Sequence, residues 1–351
     1  MATIFVYEHL TGGGLLNAAS PWAAPASLLP EGKAMAAALI ADFAALPSVD
    51  VVALRDRRLA PWKPAARRLV DVADSVEQAA AFDRWAAEAD WTVLIAPETA
   101  GALADRCRRA AAVGGRLLGP SPALVELAGD KHSTAEFLAA RGVATPAGRL
   151  FHAGQPWPAD ISYPAIWKPR DGAGSQGIVY LETPDEPRLD PLRGPGRLER
   201  FCPGLPASVA VLCGPGGLRL ALPPCSQRLS DDRRFTYLGG ALPLAAELAI
   251  RARALAERAA SALPGALGYL GIDLTLGAAP DGAGDVVIEV NPRLTTSYIG
   301  LRAACRANLA EAMLHIAEGR LPRAPLEASR AAVFDAAGRV RLKTKRKGLR
   351  A

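Results

Sequence analysis

Lys168-Pro-Arg-Asp-Gly-Ala-Gly-Ser-Gln-Gly-Ile-Val-Tyr-Leu181 carries glycines 172, 174 and 177 in the Gly-x-Gly-x-x-Gly spacing of a dinucleotide-binding turn. A Rossmann turn requires a helix to begin inside the motif, so that its N-terminus meets a pyrophosphate. The residues that follow, Ile178-Val-Tyr-Leu181, favour a strand instead. Residues 163–168 also read as a strand, so the glycines join two strands in a hairpin. Such a loop can fold its backbone N–H groups over phosphates. The plain alternative is a hairpin turn, although this Gly- and Ser-rich run is longer than a tight turn needs. Lys168 ends the strand entering the loop, where its ammonium can reach the same phosphates.

Upstream of the hairpin the chain alternates strands and helices. Strands are expected at 3–7, 49–54 and 91–96, and helices at 31–46 and 75–88. That alternation implies a parallel sheet covered by helices. Gly119-Pro-Ser-Pro122 then punctuates the chain, and one helix is expected from 123 to 141, stopped by Gly142. Lys131, in Gly129-Asp-Lys131, lies early in that helix. Downstream, short strands at 177–182, 196–201, 207–213, 218–222, 269–277 and 286–290 mix with helices at 245–262 and 296–318, an α+β pattern with hairpins.

Gly271-Ile-Asp-Leu-Thr-Leu276 and Val286-Val-Ile-Glu-Val-Asn-Pro-Arg293 each place a carboxylate inside an otherwise buried strand. Glu289 and Asn291 are two residues apart and share a face, and Asp273 on the neighbouring strand can join them. Two carboxylates buried together require a neutralising cation, and hard oxygen donors of this kind suit Mg²⁺. The bland alternative is a pair of carboxylates bonded to arginine or backbone.

Lysine usage sharpens the picture. The chain has seven lysines against 34 arginines, and only Lys33, Lys63, Lys131 and Lys168 precede the last dozen residues. In so biased a chain a body lysine marks a position where a compact ammonium serves better than a planar fork.

Two lysines, a glycine hairpin and an Asp…Glu-x-Asn set in this order resemble the ATP-grasp superfamily over about residues 119–320. The resemblance implies an N-terminal parallel-sheet (pre-ATP-grasp) domain at 1–118 and a two-lobed ATP-grasp domain. Its small lobe with the glycine hairpin covers 119–198, its large lobe with the metal site 199–338, and a basic tail 339–351. It further implies ATP and Mg²⁺, two ions with Mn²⁺ as a substitute, as cofactors. Lys131, Lys168, Gly172, Gly174, Ser175 and Gly177 match phosphate-binding positions. Glu199, Arg200, Phe201 and Cys202 match the hinge whose backbone reads adenine. Asp273, Glu289 and Asn291 match the metal ligands. Arg293, with Lys168, is the candidate catalytic group for the transferred phosphoryl and the oxyanion; the alternative for Arg293 is an ion pair that positions Glu289. The sequence departs from the superfamily after Gly204, where Pro206 stands in place of an acidic ribose-binding residue.

A narrower likeness lies in Glu289-Val-Asn-Pro-Arg-Leu-Thr-Thr-Ser-Tyr298, with Phe5-Val-Tyr-Glu8, Gly12-Gly-Gly14 and Ala96-Pro-Glu98. These strings are similar to tyramine–L-glutamate ligase of methanofuran biosynthesis and its bacterial relatives in one-carbon metabolism. The activity implied is ATP-dependent joining of a glutamate-like carboxylate to an amine through an acyl phosphate. The alternatives are an amide or peptide ligase with another carboxylate–amine pair, or a non-catalytic nucleotide-binding protein.

Composition bounds the rest. At 351 residues, half of them apolar, the chain supports two or three packed lobes. No stretch reads as a membrane span, and the start, Met1-Ala-Thr-Ile-Phe-Val-Tyr-Glu8, has neither a basic n-region nor a cleavage site. Five cysteines without a Cys-x-x-Cys pair and four scattered histidines argue against zinc and for a reduced, cytoplasmic setting. The seven cations between 339 and 350 exceed the net charge of +6, which leaves the body near −1. No basic stripe interleaved with aromatics points to nucleic acid. Small molecules are the expected partners, and a homo-oligomer is allowed.

Overall fold

Alternation of side chains along the first strand sets the layering of the N-terminal lobe. In the computed structural model, which describes residues 1–17, 28–152, 155, 158, 160–172, 177–184 and 195–343, β1 (Ala2–Glu8) sits inside a four-stranded parallel sheet. It pairs with β2 (Val49–Asp56) on one side, and β3 (Arg68–Val72) lies beyond β2. On its other side is β4 (Trp91–Ile95), giving the order β3-β2-β1-β4. Ile4 and Val6 face α1 (Leu28–Ala44), whereas Phe5 and Tyr7 face α2 (Ser75–Glu88) and α3 (Ala102–Ala112). Both faces are covered, so β1 reads as a continuous apolar run. Asp74 accepts from the N–H groups of Val76 and Glu77, so α2 begins at Ser75, as its sequence suggests.

The helix expected from 123 to 141 is two helices, α4 (Pro122–Gly129) and α5 (Lys131–Ala139). Asp130 is extended and its carboxylate accepts from His132 N and Ser133 N. That cap starts a new helix where alanine-rich periodicity predicts continuity, and it makes Lys131 the first residue of α5. The Lys131 N–H then donates to the Arg170 carbonyl at 2.8 Å.

A four-stranded antiparallel sheet follows, in the order β5-β8-β6-β7. Its strands are β5 (Gly148–His152), β6 (Ala165–Pro169), β7 (Val179–Leu181) and β8 (Pro195–Arg200). β6 and β7, on either side of the glycine motif, pair antiparallel, and Gly177 leads directly toward β7 rather than into a helix. Gly172 and Gly177, at φ +129° and +71°, hold the loop's two ends in backbone conformations that favour glycine. Gly174 and Ser175 lie outside the described residues.

The largest sheet has eight strands. β9 (Leu205–Cys213) lies at its centre and carries the short β10 (Arg219–Ala221) on part of one edge. β11 (Cys225–Leu229) and β12 (Tyr237–Leu242) form a hairpin beside β9. After α6 (Ala246–Ala262), β13 (Gly268–Leu276) pairs with β9 along its whole length, and β14 (Val286–Asn291) forms the far edge. The helical stretch expected at 296–318 breaks into α7 (Ser297–Ala304) and α8 (Leu309–Ala317), the latter capped by Asn308. β15 (Ala331–Asp335) adds to β12, and β16 (Val340–Lys343) adds to β15. The residues expected to begin a basic tail at 339 therefore include a paired strand, because Ala332 and Phe334 are buried and need cover.

One core joins the two ends of the chain. Ile4, Leu39 and Phe43 pack with Leu212, Tyr269, Met313 and Ile316, so the N-terminal sheet rests on the large sheet through α1, α7 and α8. Opposite them, β9 turns Val209 and Val211 toward α6, α4 and α5. All five cysteines are free and buried. Among the described residues no helix is long and apolar enough to cross a membrane.

Candidate active site

Register places the carboxylates first. Asp273 on β13 stands directly opposite Glu289 on β14, and Gly271 stands opposite Asn291. Directly paired residues of an antiparallel ladder share a face, so Asp273, Glu289 and Asn291 meet on one side. Asn291 donates through Nδ2 to Asp273 Oδ2 at 3.2 Å, and Gln227 on β11 donates through Nε2 to Asp273 Oδ1 at 2.9 Å. Burial pushes the Asp273 carboxyl up to about 7, and the Glu289 carboxylate beside it adds to the rise. Arg293 acts on Asp273 from a distance, and among the described residues no lysine or arginine forms a direct ion pair with it as counter-cation.

Glu289 already has one. Lys131 Nζ lies 2.5 Å from Glu289 Oε1 and donates to the Gly172 carbonyl at 2.8 Å. Burial opposes charge on Glu289, yet Lys131, Lys168 and Arg293 outweigh it and hold the carboxyl below its ordinary range. Burial likewise opposes charge on Lys131, and Glu289 holds its ammonium above the usual value. Two carboxylates and an amide oxygen on one face fit a divalent cation that completes its shell with phosphate oxygens and water. Among the described residues no group of three or more His, Cys, Asp or Glu side chains gathers as a metal site, and Mg²⁺ asks for fewer.

Lys168 enters from the other side. Its side chain is 6% exposed, and Nζ lies 2.6 Å from Glu199 Oε1 and 3.3 Å from the Ile288 carbonyl, next to Glu289. Arg197 takes the other oxygen of Glu199 at 2.8 Å. The expected hinge is partly committed to the small lobe. Arg200 N donates to Ala147 O, and Phe201 N donates to Pro164 O, each at 2.9 Å. Those two amides are therefore engaged within the protein. Among the described residues the Cys202 N–H has no backbone partner.

Arg293 points back to the N-terminal lobe. Its guanidinium meets Glu98, at the carboxyl end of β4, through contacts of 2.9 and 3.0 Å, and both side chains are nearly buried. The ion pair considered for Arg293 is therefore with Glu98, while Glu289 takes Lys131. The Thr-Thr-Ser-Tyr string after it continues the same tie: Thr296 meets Glu31, and the Tyr298 hydroxyl donates to Asp42 at 2.7 Å. Much of that string thus docks the large lobe against α1.

Sequence reasoning missed Arg197, His132 and Gln227. Arg197 carried a signal, because Arg197-Leu-Glu199 interrupts a buried strand with inward charges as Asp273 and Glu289 do. Gln227 carried none: Cys225-Ser-Gln-Arg-Leu229 has no apolar alternation to interrupt.

With this geometry in hand, comparison places the chain. The ATP-grasp domain family matches residues 128–297, and the pre ATP-grasp 3 domain family matches residues 49–125. An ATP-grasp superfamily protein from Archaeoglobus fulgidus superposes with a TM-score of 0.71 at 21% identity, covering 95% of this chain and 92% of that one. N5-carboxyaminoimidazole ribonucleotide synthetase from Thermotoga maritima gives 0.66 at 21%, covering 95% and 80%. L-amino acid ligase from Bacillus licheniformis gives 0.64 at 17%, covering 95% and 79%. Among curated proteins none matches this chain significantly. A parallel-sheet lobe, strands paired antiparallel about a glycine motif and a large sheet bearing paired carboxylates thus occur together with both family matches: the chain carries an ATP-grasp domain over residues 128–297 and, ahead of it, a pre-ATP-grasp domain over residues 49–125.

Proposed function

We propose that this protein is an ATP-dependent carboxylate–amine ligase that forms an amide through an acyl phosphate. The observation that carries the reading is the convergence of Lys131, Lys168, Asp273 and Glu289 on the base of the β6–β7 hairpin. We assign residues 1–118 to the pre-ATP-grasp domain, 119–198 to the small lobe and 199 onward to the large lobe. Lys131 and Lys168 bind the phosphates of ATP, and the glycine loop lays its amides over them. Asp273, Glu289 and Asn291 hold Mg²⁺, which when bound neutralises charge on the phosphates. The Lys131 ammonium, paired with Glu289 in this structure, is a group that would meet a phosphate of ATP.

The γ-phosphoryl group passes to a substrate carboxylate oxygen, the bond to the β-phosphate oxygen breaks, and ADP is released. An amine nitrogen then attacks the acyl carbon. The tetrahedral intermediate expels phosphate and the nitrogen gives up a proton, leaving an amide. Phosphoryl transfer asks chiefly for positioning and charge neutralisation, which the two lysines would supply together with a cation held by the carboxylate pair. Arg293 serves the transferred phosphoryl group and the oxyanion by exchanging Glu98 for them. The finer reading is a glutamate-like carboxylate joined to an amine such as tyramine, in making a methanofuran-like one-carbon cofactor. It is supported by the strings around Glu8, Glu98 and Glu289.

The test is ADP release from Mg-ATP with glutamate and a panel of amines, with mass spectrometry of the products. Release that requires both substrates, together with a condensed product, supports the ligase. Nucleotide binding with no release for any pair identifies a binder instead.

A further inference from the structure

Arg197 is the largest side chain in the protein that is essentially free of solvent, at 1% exposure. A guanidinium so placed is costly unless its N–H groups are used. They are. Nε donates to Glu199 Oε2 at 2.8 Å, and NH2 donates to the Pro146 carbonyl at 2.8 Å. NH1 lies 2.9 Å from His132 Nδ1 and 3.2 Å from Glu136 Oε1. The contact with His132 requires an unprotonated Nδ1. Burial, seconded by Arg197 itself, holds that imidazole below its ordinary value, so Nδ1 accepts at neutral pH.

Both phosphate lysines hang from this one group. Through Glu199, Arg197 sets the carboxylate oxygen that Lys168 meets at 2.6 Å. Through His132 and Glu136 it grips the first turns of α5, whose first residue is Lys131. Glu199 is thus held between Lys168 and Arg197, and Arg197 is anchored in turn by Glu136, so the guanidinium fixes where the Lys168 ammonium sits.

We infer that Arg197 is a positioning residue for ATP phosphates: it orients Lys168 and Lys131 together beneath the glycine hairpin. The inference rests on the nucleotide-site part of the proposed function and names a residue that the reading does not use.

The experiment is calorimetric binding of Mg-ATP and of adenosine to the full chain and to two variants, with thermal midpoints and ligation measured in parallel. Arg197→Met removes the charge and the fork at similar length. It should weaken ATP at least tenfold and leave adenosine within twofold of the wild type. Arg197→Lys keeps the charge but loses the multiple contacts, and should fall between, with at least threefold weaker ATP. A folded Arg197→Met that binds ATP like the wild type, whatever its thermal midpoint, overturns the inference, as does a parallel loss of ATP and adenosine. If Arg197→Met does not fold, Arg197→Lys decides by the same comparison, and ATP affinity equal to wild type overturns it. A wild-type chain that binds ATP but ligates nothing sinks the ligase reading and leaves Arg197 in place. A wild-type chain that binds no ATP sinks both, and is a different result from a variant that matches the wild type.

Discussion

Glu98→Gln tests the join between the two domains. Glu98 and Arg293 make two parallel contacts, and their side chains are 4% and 11% exposed. Removing one member of a buried pair costs about 3–5 kcal/mol, because the other charge is left without its partner. Glu31 and Glu289 also act on Arg293, which puts Glu98→Gln near the lower end, about 3 kcal/mol. Arg293→Met leaves the Glu98 carboxylate buried and should cost a similar amount. The double variant removes both charges at once and should cost only about 1–2 kcal/mol beyond either single change, so the coupling energy is about 1–2 kcal/mol. Urea unfolding of the four proteins reads this directly. Coupling under about 0.5 kcal/mol, the ordinary scatter of independent sites, refutes the pair as a joint. The same variants separate structure from chemistry. Arg293→Met should lower turnover on the order of 10²–10³-fold, the scale of a lost oxyanion donor, with ATP affinity unchanged. Turnover within threefold of the wild type would remove Arg293 from the reaction.

Asp273→Asn and Glu289→Gln should each fold and lose most Mg²⁺-dependent ATP turnover; normal turnover in both removes the metal assignment. His9 is buried, its Nδ1 has no hydrogen-bond partner among the described residues, and burial followed by Arg106 lowers its imidazole to about 4. Because the folded value lies below the ordinary 6.5, the unfolded chain takes up a proton first as pH falls. The neutral imidazole therefore costs stability between roughly pH 6.5 and 4, by about 3 kcal/mol in total. Glu8 and Asp273 shift upward and act in the opposite sense, so the measurement is the difference between wild type and His9→Phe, which should widen in favour of the variant from pH 7 to pH 4. A constant difference refutes it. Ending the chain after Lys343 should leave stability and ligation nearly intact, whereas ending it at Gly338 removes β16, uncovers Ala332 and Phe334, and should lower the thermal midpoint by several degrees. Equal midpoints would mean that β16 covers nothing of consequence.

The parts of this fold legible in the sequence are those where local chemistry and tertiary packing agree. β1 and β4 are apolar runs buried on both faces, α2 begins at its Asp74 cap, and β13 and β14 announce themselves by carboxylates in otherwise apolar strands. Where packing overrides the local signal, the reading fails. Alanine-rich periodicity runs through Asp130, and only the capping bonds of that residue split α4 from α5. The strands β11 and β12 are not among those expected from the sequence, and Gly239-Gly240 lies inside β12, where a Cβ on Gly240 would stand 2.7 Å from the Phe334 ring. The candidate site divides in the same way. Its paired carboxylates and its two lysines stand out against their own neighbours in sequence, while their supports come from elsewhere: Gln227 from β11, Glu98 from the turn after β4 and Arg197 from β8. A residue that acts by holding another carries little mark of its own, since its worth lies in a contact between distant segments. Lys131 shows how the two kinds combine. Its place at the start of α5 is fixed by Asp130, its charge is matched by Glu289 on β14, and its Nζ reaches the Gly172 carbonyl at the entrance of the hairpin. A single ammonium thus connects the helix, the carboxylate face and the phosphate loop, and nucleotide or cation entering there must renegotiate all three contacts together.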